Sequence, residues 1–355
     1  MNAGYADSSS ITRRLDPAQR RSPAGAGGRE PYPILITGGG GFLGSHIAGR
    51  LLERGDSVRV FGRRFYPDLA AAGADCRQGD VADPAAVRKA VDGCRSIIHC
   101  AAMPGIDGDY RLHYAANYLG TKNVIDAAVS LGVRRLVHTS SPAVVNAGQD
   151  IEGGDEDLPY PAKYLCPYAA TKALAEKLAL GMNSAGFATI AIRPHLMFGP
   201  GDTQLLPKLL ALAGRGRLRR VGNGKNLVSV CYVENAAHAH ILALDALQSG
   251  SPAAGRAYFI NEPEPVNCWD FINRLVTAAG FPEVRKSIPF PAAYAIGWLG
   301  EKTFALLKRR EDPPMTRFLA CQLARNHWFR VDRARRDLGW EPAVMLEVAL
   351  RRTLA

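Results

Sequence analysis

The sequence predicts an α/β fold, a parallel, doubly wound sheet followed by a smaller, mainly helical C-terminal region. Three observations carry this expectation. Short apolar runs alternate with helical stretches from Pro33 to Arg193, and such alternation builds parallel βαβ units. The glycines Gly38 to Gly41 sit between the first strand and the first helix. Beyond Arg193 the alternation is broken by Pro194, Pro200 and Pro207.

Residues 1–30 are rich in Ser, Arg, Gly and Ala. They cannot bury enough surface to offset chain entropy and read as a disordered tail. Asp7 and Asp16 argue against an Arg- and Ser-rich transit peptide. Ile34 to Thr37 form the first strand, with Pro33 at its tolerated first position. A helix follows over 42–54, then a Gly55-Asp56 turn and a strand over 57–61. Further strands fall at 75–78, 96–100, 134–139 and 188–193, separated by helices at 84–91, 109–131 and 167–185. Later helices at 234–247 and 269–279 flank a strand at 257–260. Residues 285–325 are apolar and helical, with Phe290, Tyr294, Trp298, Phe304 and Phe318.

Composition narrows the function classes. Hydrophobic residues at 47% and charged residues at 22% describe a globular chain. No apolar run reaches the roughly 18 residues of a membrane span, which leaves only peripheral association open. The net charge of +11 comes mostly from scattered arginines. They form no long run and no aromatic-interleaved platform, so nucleic acid is not an expected partner. An anionic substrate fits the surplus. The seven cysteines are odd in number and lack Cys-x-x-Cys spacing. They predict neither a disulfide framework nor a metal site. Reduced thiols and the lack of an apolar leader predict a cytoplasmic protein.

The glycine loop runs Thr37-Gly38-Gly39-Gly40-Gly41-Phe42-Leu43-Gly44. Glycines there permit a tight turn and a close backbone approach to a pyrophosphate, while the helix start offers free N–H groups. The strand before it and the helix after it distinguish it from a flexible linker. NAD-binding folds carry an acid at the end of the second strand for the ribose 2′-hydroxyl. Here Gly62 stands in that place, followed by Arg63 and Arg64. Guanidiniums pair with a 2′-phosphate, so NADP(H) is favoured over NAD(H); a solvated surface pair is the alternative reading. Asp80 and Val81 close the third strand, where the adenine would lie. Asp83 before Pro84 reads as a helix N-cap.

Tyr168 and Lys172 have Tyr-x-x-x-Lys spacing, as do Tyr118 and Lys122. Context separates the two. Pro167 suits a first helical turn, so Tyr168 and Lys172 share a helix face. Ser140 and Ser141 end the preceding strand, where ligands bind in open α/β sheets. Tyr118 has no such partner. A free tyrosine titrates at about 10, and a neighbouring Lys172 ammonium would lower that value. Tyr168 can then serve as general acid toward a carbonyl oxygen. Ser141 would hydrogen-bond the same oxygen. His195 is left as a substrate contact or a packing residue. His238 and His240 are two apart on a helix and make a poor metal pair.

Together these motifs resemble the extended short-chain dehydrogenase/reductase family. The matching pieces are the glycine loop, His99-Cys100-Ala101-Ala102, Asn117 within Asn117-Tyr118-Leu119-Gly120-Thr121, Thr139-Ser140-Ser141, Tyr168 with Lys172, and Arg193-Pro194 through Gly201-Asp202. The resemblance implies a Rossmann-type NAD(P)-binding domain over 31–195, with core elements returning from later chain, and a substrate-binding region over 196–355. It implies Ser141, Tyr168 and Lys172 as the catalytic triad, supported by Asn117. It implies cofactor contacts from Gly38, Gly41, Phe42, Leu43, Gly44, Arg63, Arg64, Asp80, Val81, Ala101, Ala102, Tyr168, Lys172 and Pro194. Within the family, Thr139 to Val145, Gly154 to Pro159 and Tyr232 to Ala237 resemble 3β-hydroxysteroid dehydrogenase-like enzymes. Tyr160 to Lys172 and Arg193 to Leu196 are similar to the 2-alkyl-3-oxoalkanoate reductases of bacterial olefin synthesis. That likeness implies NADPH-dependent reduction of a β-keto acid, with a homodimer or an assembly with other olefin-pathway enzymes left open.

A steroid or sterol dehydrogenase is the first alternative. A nucleotide-sugar epimerase or dehydratase is the second, although its usual Arg-Asp-Phe is replaced here by Val228-Ser229-Val230. A non-catalytic NADP-binding subunit is the third, and the intact triad argues against it. The apolar residues Phe290, Tyr294, Ile296, Trp298, Leu299, Phe304, Leu306 and Leu307, with Lys302 and 308–310 at the edges, are expected either to wall the substrate or to pack on the core.

Overall fold

The computed structural model describes residues 32–354, apart from 106–107, 249, 308 and 310–312. The expected tail, residues 1–30, lies outside the described residues. Seven strands form one parallel sheet: β1 (Ile34–Thr37), β2 (Val58–Gly62), β3 (Asp75–Gln78), β4 (Ser96–His99), β5 (Arg135–Thr139), β6 (Ala188–Pro194) and β7 (Ala257–Ile260). Their order is β7-β6-β5-β4-β1-β2-β3. The order reverses between β1 and β4, which opens a crevice at the carboxyl ends of these strands.

The strands alternate between two cores. Ile34, Ile36, Val60 and Ile98 pack against α1 (Phe42–Arg54) and a later helix, Val233–Ala246. Leu35, Phe61, Ile97 and Leu136 face the other side, toward Val87, Val124, Ile125 and Ala128. With both faces covered, β1 and β4 are buried at every residue. The chain after 196 therefore helps to complete the sheet: it supplies edge strand β7 and the helix that packs on α1.

The expected helix over 109–131 is interrupted. Tyr110–His113 is α-helical, Tyr114–Leu119 is a π-helix, and Gly120–Ser130 resumes the α form. Helix α2 (Pro67–Ala71) was not anticipated and buries no residue. A second sheet joins Val266–Asn267, Leu227–Val228, His327–Phe329 and Ile151–Gly154. Pro167–Gly181 ends before the expected 185, because Ser184 and Phe187 pair with each other ahead of β6. Near the C-terminus, helix Phe290–Leu306 lies on helix Arg317–Ala324. Gly297 permits that approach, since a Cβ there would stand 2.5 Å from the Thr316 carbonyl carbon.

Candidate active site

The loop after β1 is built for close backbone approach. Gly38 is left-handed at φ +67°, and a Cβ on it would lie 2.8 Å from the Ala101 backbone. A Cβ on Gly44 would stand 2.3 Å from the Gly38 carbonyl oxygen. Gly41 starts α1 without a side-chain cap. The Phe42, Leu43 and Gly44 amides thus open the helix with no intrahelical acceptor. This cradle fits a dinucleotide pyrophosphate.

Arg63 and Arg64 follow β2, both exposed, with no guanidinium partner among the described residues. Tyr66, which sequence reasoning missed, lies over Gly40 and Gly62; a Cβ on Gly40 would meet its ring at 2.0 Å. Asp80 is exposed, and its carboxylate accepts from the Ala82 amide at 2.9 Å. Val81 packs beside Gly120. Asp83 caps its helix as expected, accepting from the Ala85 and Ala86 amides.

A buried hydrogen-bond chain links this loop to Asn117. The Ala101 amide donates to Thr37 Oγ1, which bonds His99 Nδ1 at 2.6 Å. His99 Nε2 bonds Thr121 Oγ1 at 2.9 Å, and Thr121 donates to the Asn117 carbonyl. Since Thr121 spends its proton there, His99 carries its own on Nε2 and accepts from Thr37. Asn117 lies in the π-helix, a turn type frequent at functional sites. Its Oδ1 accepts from the Met103 amide at 2.7 Å, and its Nδ2 donates to Thr171 Oγ1 at 3.1 Å. Asn117 therefore ties the loop carrying Ala101 and Ala102 to the helix of Tyr168 and Lys172.

Ser141 and Tyr168 meet. The Ser141 hydroxyl lies near enough to the Tyr168 phenol to favour its ionised form. Ser141 Oγ also accepts from the Ala143 amide, capping the turn Pro142–Val145. The Tyr168 ring packs beside Cys166, Ala169 and Phe318. Burial pushes the Tyr168 phenol above its ordinary value, and Ser141 offsets only part of that rise. This corrects the expected lowering by Lys172. The Lys172 ammonium is instead directed at the Thr139 carbonyl, at 2.5 Å. Burial lowers Lys172 to about 8, against the opposing pull of Glu176 and Cys100. His99 and His240, in the same core, are held neutral by burial, at about 3 and about 4. His240 bonds Thr139 and the Ala236 carbonyl, as a structural histidine does. The second Tyr-x-x-x-Lys pair is different: Lys122 salt-bridges exposed Asp126, and Tyr118 packs on Tyr114.

Behind Lys172 lies an ion pair that sequence reasoning missed. Glu176, one helical turn on, accepts from Arg193 Nε at 2.9 Å and Nη2 at 2.6 Å, and from the Tyr160 hydroxyl at 2.6 Å. Its i+4 spacing from Lys172 was the available signal. Both side chains are almost wholly buried. Glu176→Gln would leave Arg193 buried without its anion, so the folded state should lose about 3–5 kcal/mol. Chemical denaturation checks this; a loss typical of an exposed pair would contradict it.

Pro194 ends β6 beside Ile260. His195 is buried, its Nε2 bonded to His327 Nδ1 at 2.7 Å, which is the packing role and not an open contact. Val228 and Val230 are wholly buried, so that strand presents no arginine. The expected apolar wall is only partly present. Ile296, Trp298, Leu299, Leu306 and Leu307 face solvent, 49–82% exposed. Phe318 belongs to the small cluster, with Cys166 and Ala169, against which Tyr168 packs. Lys308 and Arg310 lie outside the described residues. The helix apolar on all sides misled the pattern reading, because periodicity cannot say which side is covered.

The model of the 3-beta hydroxysteroid dehydrogenase/isomerase family matches residues 35–292. A 2-alkyl-3-oxoalkanoate reductase of Stenotrophomonas maltophilia is 47% identical over 324 residues, covering 91% of this chain and 98% of that protein. The human sterol-4-alpha-carboxylate 3-dehydrogenase, decarboxylating, is 36% identical, covering 90% of this chain and 86% of that one. The crystal structure of a Thermus thermophilus UDP-glucose 4-epimerase in complex with NAD superposes with a TM-score of 0.69 at 22% identity, covering 91% of this chain and 97% of that one, which shows the shared fold. The chain belongs to the 3-beta hydroxysteroid dehydrogenase/isomerase family of extended short-chain dehydrogenases/reductases, oxidoreductases that act on hydroxyl and keto groups with a nicotinamide cofactor.

Proposed function

We propose that the chain is an NADPH-dependent ketoreductase that converts the 3-keto group of a long-chain 2-alkyl-3-oxoalkanoate to the 3-hydroxy acid. The observation that carries the reading is the placement of Ser141 beside Tyr168 at the carboxyl end of β5, at the same end of the sheet as the glycine cradle. The cofactor, when bound, supplies the hydride. Tyr168, held protonated by burial, donates its proton to the carbonyl oxygen. Ser141, already accepting from Ala143, directs its own proton at that oxygen. Lys172 contributes positive charge and a hold on the nicotinamide ribose, and Asn117 positions the helix that carries it. The glycine cradle takes the pyrophosphate, Arg63 and Arg64 the 2′-phosphate, and Asp80 and Val81 the adenine, with Ala101, Ala102 and Pro194 beside the nicotinamide half.

The relatives' names support the substrate class. A 2-alkyl-3-oxoalkanoate and a 3-oxygenated sterol 4-carboxylate share one element: an oxygen-bearing carbon next to a substituted carbon that carries a carboxylate. A sterol acid is accordingly the second reading. The test is NADPH oxidation with 3-oxo acids of increasing length, a 3-ketosteroid and a UDP-hexose. Each methylene buried should raise kcat/KM by up to about fourfold, from about 0.8 kcal/mol. A flat series, or activity on the UDP-hexose alone, would overturn the proposal.

Cofactor choice has its own expected result. A charge-assisted pair contributes about 1.5–3 kcal/mol, or about tenfold to a hundredfold in affinity. Arg63→Ala with Arg64→Ala should raise the KM for NADPH by that factor and leave NADH largely unaffected. Equal use of NADPH and NADH by the unaltered protein would contradict it.

A further inference from the structure

Gly40 and Gly62 are glycines because of Tyr66. Neither has a left-handed φ, so neither backbone by itself demands glycine. A Cβ on Gly40 would stand 2.0 Å from the Tyr66 ring carbon Cε1, and a Cβ on Gly62 would stand 2.5 Å from the Tyr66 hydroxyl oxygen. At both positions the nearest atoms all belong to Tyr66. The side chain is held there. Pro67 keeps Tyr66 out of the helical region, at φ −123° and ψ 88°, and α2 starts at once. The Tyr66 carbonyl accepts from the Cys76 thiol of β3 at 3.7 Å. Tyr66, Leu69 and Cys76 pack at the edge of the core that α1 shares. Helix α2, which buries no residue of its own, thus serves to carry Tyr66 over the end of β2.

Gly62 stands where NAD-binding folds place the acid that holds the ribose 2′-hydroxyl. Here the Tyr66 hydroxyl takes the space of that side chain, so acid and ring exclude each other. The exchange changes the chemistry. A carboxylate only accepts hydrogen bonds and repels a phosphate, whereas a phenol can donate. Its bond to a phosphate is charge-assisted, roughly twice as strong as a bond to a neutral 2′-hydroxyl. Arg63 and Arg64, both exposed, lie between Gly62 and Tyr66 in the chain. The Gln78 amide of β3 donates to the Arg63 carbonyl at 3.0 Å and ties this turn to the sheet.

We propose that Tyr66 is a specificity-determining residue for the cofactor: it closes the place of the ribose-binding acid and presents its hydroxyl to the 2′-phosphate, beside Arg63 and Arg64. The inference rests on the NADPH reading and deepens it. The arginines supply attraction for the phosphate. Tyr66 supplies a neutral donor and, by its bulk, a bar against the acid that would favour NAD(H). The pyrophosphate and the nicotinamide half are common to both cofactors, so the effect of the Tyr66 hydroxyl belongs to the phosphorylated one alone.

The test is the Kd of NADP+ and of NAD+, measured by isothermal titration calorimetry on the full chain without substrate or turnover. The unaltered protein should favour NADP+. Tyr66→Phe keeps the ring and should weaken NADP+ about tenfold, the lower end for a hydrogen bond to a charged group, while NAD+ stays unchanged. Its thermal melt without cofactor should match that of the unaltered protein. Gly62→Asp should weaken NADP+ without improving NAD+, because the ring still fills the place of the acid. Gly62→Asp with Tyr66→Ala should improve NAD+ about tenfold. If the unaltered protein favours NADP+ and Tyr66→Phe changes neither Kd, the cofactor reading stands and the Tyr66 proposal falls. Equal losses of both cofactors would set the hydroxyl against a part they share and overturn it, as would an NAD+ gain from Gly62→Asp alone. An unaltered protein without preference defeats the cofactor reading and the proposal with it.

Discussion

Tyr168→Phe is expected to lower kcat about 10²-fold or more. The change removes one hydroxyl and keeps the ring that packs beside Cys166, Ala169 and Phe318. The stability cost should be about 1 kcal/mol or less, since only one hydroxyl is lost. NADPH affinity should change little. Tyr118→Phe is the control, since Tyr118 packs on Tyr114 and its spaced partner Lys122 is committed to Asp126. Steady-state kinetics of both variants decide the matter. Equal losses would mean that the wrong tyrosine carries the proton.

Ser141→Ala should cost about 10²–10³-fold in kcat, the range for losing one preorganised donor to a developing oxyanion. It should also cost about 1 kcal/mol of stability, because Ser141 Oγ caps the turn Pro142–Val145 through the Ala143 amide. The two effects separate experimentally. Ser141→Thr keeps the hydroxyl and should recover most of the rate, while Ser141→Ala should fold and bind NADPH with normal affinity. A rate loss no larger than the stability change explains would assign Ser141 a capping role alone.

The parts legible in the sequence are those set by local chemistry. Ile34 to Thr37 could be read as a strand from its apolar run, and the glycines after it as a turn, because each property resides in a few adjacent residues. The strand Ala257–Ile260 falls where its apolar run placed it. The π-helix was not legible, since Asn117 bonds Met103 and Thr171 from outside its own segment. The second sheet was hidden because its strands span two to four residues, too short for a period to register. The Tyr168 phenol shows the same limit. Spacing places an ammonium one turn away, but burial decides the direction of the shift, and Lys172 turns toward Thr139.

In the proposed reaction a hydride passes from NADPH to carbon 3 of a β-keto acid. The most direct measurement uses NADPH deuterated at the transferable position, a long-chain 2-alkyl-3-oxo acid and mass spectrometry of the product. The expected result is one deuterium on carbon 3 of the 3-hydroxy acid, formed at the rate of NADPH consumption and almost absent with Tyr168→Phe. A 3-hydroxy acid without deuterium, or a substrate recovered unchanged while NADPH is consumed, would contradict the account.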